Sequence, residues 1–320
     1  MWRANVSPAL APQVATGYCA DPGDMHMTTP NLRRLLQTKT TVWAAGAYDA
    51  LSARIIEHAG FDAVFTTGYG ISSSFLGMPD VELWSMSEAL MVNSHICAAT
   101  KIPVMCDVDT AFGGPANAQR TMRAFERAGA AAVVVEDQLL PKRCPLGLPD
   151  AIQIIDANAA AKKVEAMVDA RENRDMLVIA RTDAPTLEEA SRRAKLYLAA
   201  GADLVQPTSR GMKSFDDFRR FRDAAGAKIS MQVLGWVEKE MTPEQIEEVA
   251  AVAAFGMAPF LTAAQALFDN LAVLSRTHSV KDLPRPMIGA KAFGDFIGFG
   301  EIEQLIERYA HTPETAANDR

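Results

Sequence analysis

Short apolar runs in this sequence end repeatedly in acids or cations. Val104-Met105-Cys106 runs into Asp107-Val108-Asp109, Ala132-Val133-Val134-Val135 into Glu136-Asp137, and Leu177 to Ala180 into Arg181-Thr182-Asp183. If the runs are strands, the two-residue side-chain period aims Asp107 and Asp109 the same way, and Glu136 on a neighbouring strand converges on the same volume. Carboxylates gathered there repel one another unless a cation joins them. Oxygen ligands without His or paired Cys suit Mg²⁺ or Mn²⁺, and Mg²⁺ usually keeps several waters and takes one or two carboxylates. The competing reading is that both aspartates cap the following helix or meet Lys and Arg partners.

Arg181 ends its run where a planar guanidinium can grip a carboxylate with two hydrogen bonds; a pair with Asp183 or Glu136 is the equally open alternative. The stretch Thr66-Thr67-Gly68-Tyr69-Gly70-Ile71-Ser72 has glycines that let backbone N–H groups face an anion, or it is a flexible turn. Cys144 stands in Pro141-Lys142-Arg143-Cys144-Pro145. It lies in a long connection that can close as a lid, with two flanking cations that favour a thiolate, or it is a bystander. Cys106 reads as core. None of the five histidines falls at the end of such a run, which leaves a His-centred triad or a zinc site unsupported.

Those side chains need a scaffold that brings strand ends together. Three times a helical stretch ends in Ala-Gly just before a β-branched run: at His58-Ala59-Gly60, Arg127-Ala128-Gly129 and Ala199-Ala200-Gly201. Gly there supplies the left-handed residue that ends a helix. With runs at Val42 to Ala45, Val104 to Cys106, Leu177 to Ala180, Ile229 to Met231 and Val252 to Phe255, eight strands alternate with amphipathic helices. Those helices are expected near 49–59, 86–99, 116–128, 157–170, 186–199, 214–224 and 243–250. This pattern predicts an α/β fold, a (β/α)8 TIM barrel whose site lies at the C-terminal ends of its strands. A doubly wound sheet is the competitor, but Ala45-Gly46-Ala47-Tyr48-Asp49 lacks the glycines of a dinucleotide turn. The expected organisation is an N-terminal arm over 1–28, a catalytic barrel over 29–276 beginning with a helix at Thr29-Pro30, and a helical extension over 277–320.

Composition bounds the partners. With 49% hydrophobic and 22% charged residues the chain is ordinary for a globular enzyme. A net charge of −7 and no Lys/Arg run argue against nucleic acid. No apolar run is long enough for a membrane span, and no export signal is read. The cysteines Cys19, Cys97, Cys106 and Cys144 have no metal-site spacing, which fits a reducing, cytoplasmic setting.

Several phrases, in order, resemble the isocitrate lyase and phosphoenolpyruvate mutase superfamily, in particular the short branch containing 2-methylisocitrate lyase, dimethylmalate lyase, oxaloacetate-cleaving enzymes and carboxyphosphonoenolpyruvate mutase. They are Gly46-Ala47-Tyr48-Asp49-Ala50-Leu51-Ser52-Ala53, Leu76-Gly77-Met78-Pro79-Asp80, Asp107-Val108-Asp109, Val135-Glu136-Asp137-Gln138, Pro141-Lys142-Arg143-Cys144 and Ile179-Ala180-Arg181-Thr182-Asp183-Ala184. The resemblance implies a barrel whose last helix is exchanged with a neighbouring subunit in a dimer-of-dimers homotetramer. It implies that Asp80, Asp107, Asp109 and Glu136 hold Mg²⁺ and its waters. By the same resemblance Tyr48, Thr67, Gly68, Tyr69 and Arg181 hold a 2-oxo-carboxylate, and Cys144 exchanges a proton with the carbon freed by cleavage. The implied activity is Mg²⁺-dependent carbon–carbon cleavage of a small 2-hydroxy di- or tricarboxylate, or its reverse. The alternatives are oxaloacetate decarboxylation or hydrolysis, phosphonomutase-like chemistry, and a non-catalytic acid-binding barrel. The chain departs from the lyase pattern in three places: Pro145-Leu146 replaces Gly-His after the lid cysteine, Thr208 stands near a strand-six Glu, and Gln232 near a strand-seven Asn. A smaller or more apolar acid than a tricarboxylate is therefore expected.

Overall fold

A computed structural model describes residues 31–310. The helix start expected at Thr29-Pro30 lies outside the described residues; α1 (Leu32–Thr38) is capped by Asn31, whose side chain accepts from the Arg34 N–H at 2.9 Å. Strands and helices then alternate: β1 (Val42–Ala47), α2 (Ala50–His58), β2 (Ala63–Thr66), a short α3 (Gly68–Ile71), α4 (Met86–Ala99), β3 (Val104–Asp107), α5 (Pro115–Arg127), β4 (Ala132–Glu136), α6 (Ala157–Ala170), β5 (Leu177–Thr182) and α7 (Leu187–Ala199). The order continues with β6 (Leu204–Pro207), α8 (Phe215–Ala225), β7 (Ile229–Gln232), α9 (Val237–Glu240), α10 (Pro243–Val249), β8 (Ala250–Phe255) and α11 (Ala258–Thr277). The helix starts follow from local chemistry: Asp49, Ser85 and Thr242 close capping boxes, and Asp156, Thr186 and Ser214 cap through their side chains. Gly60, Gly129 and Gly201 take φ of 87°, 89° and 94°, the left-handed conformation expected of each.

The strands are parallel and form one eight-stranded sheet in the order β6-β5-β4-β3-β2-β1-β8-β7. The sheet curls into a nearly closed (β/α)8 barrel. Its seam is between β6 and β7, which lie side by side without a backbone ladder; there the Ser230 hydroxyl donates to Gln206 Oε1 at 2.8 Å. Two apolar layers show which way each strand residue points. Val42, Ala44, Ala63, Phe65, Met105, Ala132, Val134, Leu177, Ile179 and Leu204 share one cluster, the barrel interior, which also takes in Leu32 of α1. Their neighbours Ala45, Val64, Cys106, Val133, Val135, Val178 and Val205 pack outward on the helices. Cys106 is core, as expected. Continuing the inward set past the apolar residues reaches Thr67, Asp107, Glu136, Arg181 and Gln206 at the C-terminal rim.

The chain divides into two compact units, Thr28–Phe268 with the barrel and a second that takes in Asp269–Arg320. Among the described residues of the second are the end of α11, α12 (Ala290–Ile297) and α13 (Phe299–Tyr309), with Leu271, Phe299, Ile302 and Ile306 exposed. No helix among the described residues is long and apolar enough to cross a membrane.

Candidate active site

Asp107 ends β3, Glu136 ends β4 and Arg181 is the penultimate residue of β5, so three adjacent strands in register present them on one rim. Asp109 arrives differently. The expectation that strand alternation aims it beside Asp107 is corrected: β3 has ended, and Asp109 is buried in the left-handed conformation with φ 49°. Its N–H donates to Asp107 Oδ1 at 3.1 Å, while its Oδ2 accepts from the Trp84 indole at 2.7 Å.

The four acids expected at a metal do come together, and a cation is already among them. Lys142 is 1% exposed; its Nζ donates to Asp80 Oδ1 at 2.9 Å and to Asp109 Oδ1, and lies 4.0 Å from Glu136 Oε1. Burial works against its charge, but Asp109, Glu136, Asp80 and Asp107 hold its pKa well above the ordinary lysine value. Asp107 is pushed up to about 6, first by burial and then by Asp109, with Lys142 and Arg181 opposing. Burial raises Glu136 well above the carboxylate range despite Arg181 and Lys142, and neither of its oxygens has a hydrogen bond of good geometry.

Among the described residues no three carboxylates close directly on a common point as ligands. The donor set nevertheless fits a hard divalent ion held largely through its waters. Asp80, Asp107, Asp109, Glu136 and Asp183 outnumber Lys142 and Arg181, and the buried oxygens of Glu136 have only ion pairs to these two cations and no hydrogen bond of good geometry. Excess buried negative charge of this kind is what a cation relieves.

Arg181 makes the ion pairs that are one of the two readings of its spacing: Nη1 lies 2.9 Å from Glu136 Oε2 and Nη2 3.0 Å from Asp183 Oδ1. It is also 13% exposed and borders a cavity of about 300 Å³. Thr67, Gly68 and Tyr69 border the same cavity. The hydroxyl of Thr67 caps α3, and the Gly68 N–H does face an anion, the Asp107 carboxylate at 3.3 Å. Asp80, Asp107, Cys144, Thr208 and Gln232 also reach this space. Asp109 and Glu136 do not border it; they are buried beside the residues that do. Tyr48 also lies off the cavity, its ring edge-on to Phe260 with centroids 5.2 Å apart.

The connection from β4 to α6 is pinched at its neck, where Leu139 N–H donates to Gln153 O and Ile155 N–H to Asp137 O, both at 2.9 Å. This brings Cys144 to the cavity, 7% exposed. The expected thiolate is corrected. Burial, then Asp80, raises the thiol, outweighing the Leu146 and Gly147 N–H groups and Lys142. Lys142 is held by the acids and lowers the thiol less than burial and Asp80 raise it, while the Arg143 guanidinium donates to the backbone carbonyls of Pro141 and Lys142.

Lys142 and Trp84 are the participants the sequence did not single out for this role. Both sit in aperiodic loops, where spacing carries no direction. The only signal was the need for positive charge among the acids. The wall made by Ser209, Arg210 and Lys213 went equally unread.

Residues 32–274 match the family of phosphoenolpyruvate phosphomutase. A 2,3-dimethylmalate lyase of Eubacterium barkeri is 34% identical over 288 residues, covering 88% of this chain and 98% of that protein. A 2-methylisocitrate lyase of Aeropyrum pernix is 34% identical over 278 residues, 85% of this chain and 88% of the relative. The crystal structure of a phosphonopyruvate hydrolase in complex with oxalate and Mg²⁺ shares the fold with a TM-score of 0.79 and 26% identity, over 88% of this chain and 98% of that one. The chain belongs to the phosphoenolpyruvate phosphomutase family and is a lyase of the superfamily that unites it with isocitrate lyase. Divalent metal is used within this family, as the Mg²⁺ complex of the hydrolase illustrates.

Proposed function

We propose that this enzyme cleaves, or in reverse forms, a carbon–carbon bond in a small 2-hydroxy di- or tricarboxylate, with Mg²⁺ as cofactor. The observation that carries the reading is one cavity bordered by Arg181, the Thr67–Gly68 turn, Asp107 and Cys144. The names of the two lyase relatives agree with the substrate class. Asp80, Asp107, Asp109 and Glu136 would hold the ion and its waters. When bound, it supplies positive charge to the oxyanion that develops as the bond breaks. Arg181 and the backbone at Gly68, with Thr67 and Tyr69, hold the 2-oxo-carboxylate portion, and Tyr48 supports them from its place against Phe260. Thr208 and Gln232 face the remainder of the substrate. Lys142 offsets part of the cost of burying these acids and holds Asp80 and Asp109 in place.

Cys144 is protonated at neutral pH because its thiol is raised, so its role in cleavage is to donate a proton to the carbon left by the departing fragment. The long connection that carries it excludes water during that step. We further infer a cytoplasmic homotetramer in which residues 277–320 pack on a neighbouring subunit, residues 29–276 form the catalytic barrel and 1–28 an arm. The test is an NMR assay of the pure protein with Mg²⁺, with and without chelator, against hydroxy diacids, oxaloacetate and phosphonopyruvate. Chelator-sensitive release of a 2-oxo acid from a hydroxy diacid is the expected result. Loss of oxaloacetate alone would replace the lyase by a decarboxylase or hydrolase, and silence throughout would leave an acid-binding barrel.

A further inference from the structure

The cavity wall carries both signs of charge. Its acids Asp80 and Asp107 belong to the Lys142 cluster, whereas the connection from β6 to α8 contributes Thr208, Ser209, Arg210 and Lys213 to the wall. Among the described residues no carboxylate lies within ion-pair distance of Arg210 or Lys213. The remaining acid of the lining, Asp150, is exposed on the lid and pairs with neither. Cations at a pocket wall without a protein counter-ion are free to meet an anionic ligand.

This turn is held in place rather than loose. Thr208 N–H donates to Thr182 O at 3.2 Å, Gly211 N–H to Thr208 O at 3.2 Å, and the Trp236 indole to Met212 O at 3.1 Å. A Cβ at Gly211 would fall 2.7 Å from Ala184 O, so the turn lies directly on the backbone that follows β5. Arg210 is anchored by a single bond, Nη1 to Asp183 O at 2.9 Å, which leaves its other donors for a ligand. The Thr208 hydroxyl oxygen is buried without a hydrogen-bond partner, a polar atom that a ligand would satisfy. Pro145, Leu146, Leu234 and Met257 give the same cavity an apolar lining.

We propose that Arg210 and Lys213 are specificity-determining residues that bind the second carboxylate of the substrate, the one not borne by the 2-oxo or 2-hydroxy carbon, with Thr208 completing the subsite. The substrate class is then a dicarboxylate with an apolar, alkyl-bearing body between a 2-oxo or 2-hydroxy acid end at Arg181 and a second carboxylate at the β6–α8 turn. This deepens the lyase reading and rests on it for the identity of the first end, but not for the second.

The test is a binding titration of the full-length protein with Mg²⁺, using two unbranched acids that share the 2-oxo-carboxylate end: 2-oxoglutarate and 2-oxovalerate. The parent protein should bind the dicarboxylate more tightly by about tenfold or more, as expected for a charge-assisted contact. The Arg210→Gln/Lys213→Gln protein should bind 2-oxovalerate unchanged and lose the preference, the unchanged binding serving as its control for folding. If that variant fails to fold, Lys213→Gln alone, at an exposed position, should lose a measurable part of the preference. A parent without preference, including one that binds neither acid, or a preference that survives both substitutions, overturns the subsite. A preference that behaves as expected in a protein without lyase activity would overturn the function and leave the subsite standing.

Discussion

Substituting Lys142 by Met would leave Asp80, Asp109 and Glu136 buried without the ammonium they share. Removing one partner of a buried ionic cluster typically destabilises by about 3–5 kcal/mol. We expect a loss of that order in urea unfolding with chelator present, and a larger rescue by Mg²⁺ in the variant than in the parent, because the ion then supplies the missing charge. Equal stability of the two proteins in chelator would show that the acids do not depend on this lysine. Cys144→Ser tests the proton donor. Turnover should fall by about 10²–10⁴-fold, the usual contribution of a positioned acid, with the thermal midpoint retained. Unimpaired turnover would make the thiol a bystander. Both residues stand two apart in one loop, and their opposite fates follow from contacts: the ammonium turns into the acids, the thiol toward the cavity.

The elements supply rigidity behind this rim. Asp137, directly after β4, is buried and accepts from the Thr182 hydroxyl at 2.7 Å, the Asp183 N–H at 3.0 Å, the Tyr197 hydroxyl at 2.7 Å and Arg193 Nη1 at 3.1 Å. It ties the ends of β4 and β5, next in sequence to Glu136 and Arg181, to α7. Burial, and then Asp183, raises its carboxyl above the ordinary range, so these donors are what make its charge tolerable. Tyr197→Phe removes one of them without changing the ring. We expect a loss of about 1–3 kcal/mol in chemical denaturation, as for a buried hydrogen bond to a charged group. No measurable change would mean that Arg193 and Thr182 suffice.

At the scale of the molecule, Leu271, Phe299, Ile302 and Ile306 expose apolar side chains in the helical extension, the kind of surface that subunit contact would cover. The proposed homotetramer predicts a light-scattering mass about four times that of the chain, in line with the preference of oligomers for closed symmetry. A monomer at micromolar concentration would remove the tetramer and leave the catalytic reading untouched, since every residue assigned to the cavity lies within Thr28–Phe268.

The strands, their number and their parallel order were legible in the sequence because burial on both faces writes a local signature: a β-branched run after an Ala-Gly helix end. The positions of Asp107, Glu136 and Arg181 were legible for the same reason, since a period of two carries direction to the last residue of a strand. That period stops where the strand stops. Asp109 turns by a positive φ, Lys142 comes from a loop with no period, and both reach the same acids only because the barrel brings distant loops to one rim. The upward shift of the Cys144 thiol likewise depends on burial and on Asp80, neither of which its neighbours in sequence express. Local pattern determined the elements and the acids at their ends; the tertiary structure alone decided which charges meet, because electrostatic partnership depends on distance in space and burial rather than on spacing along the chain.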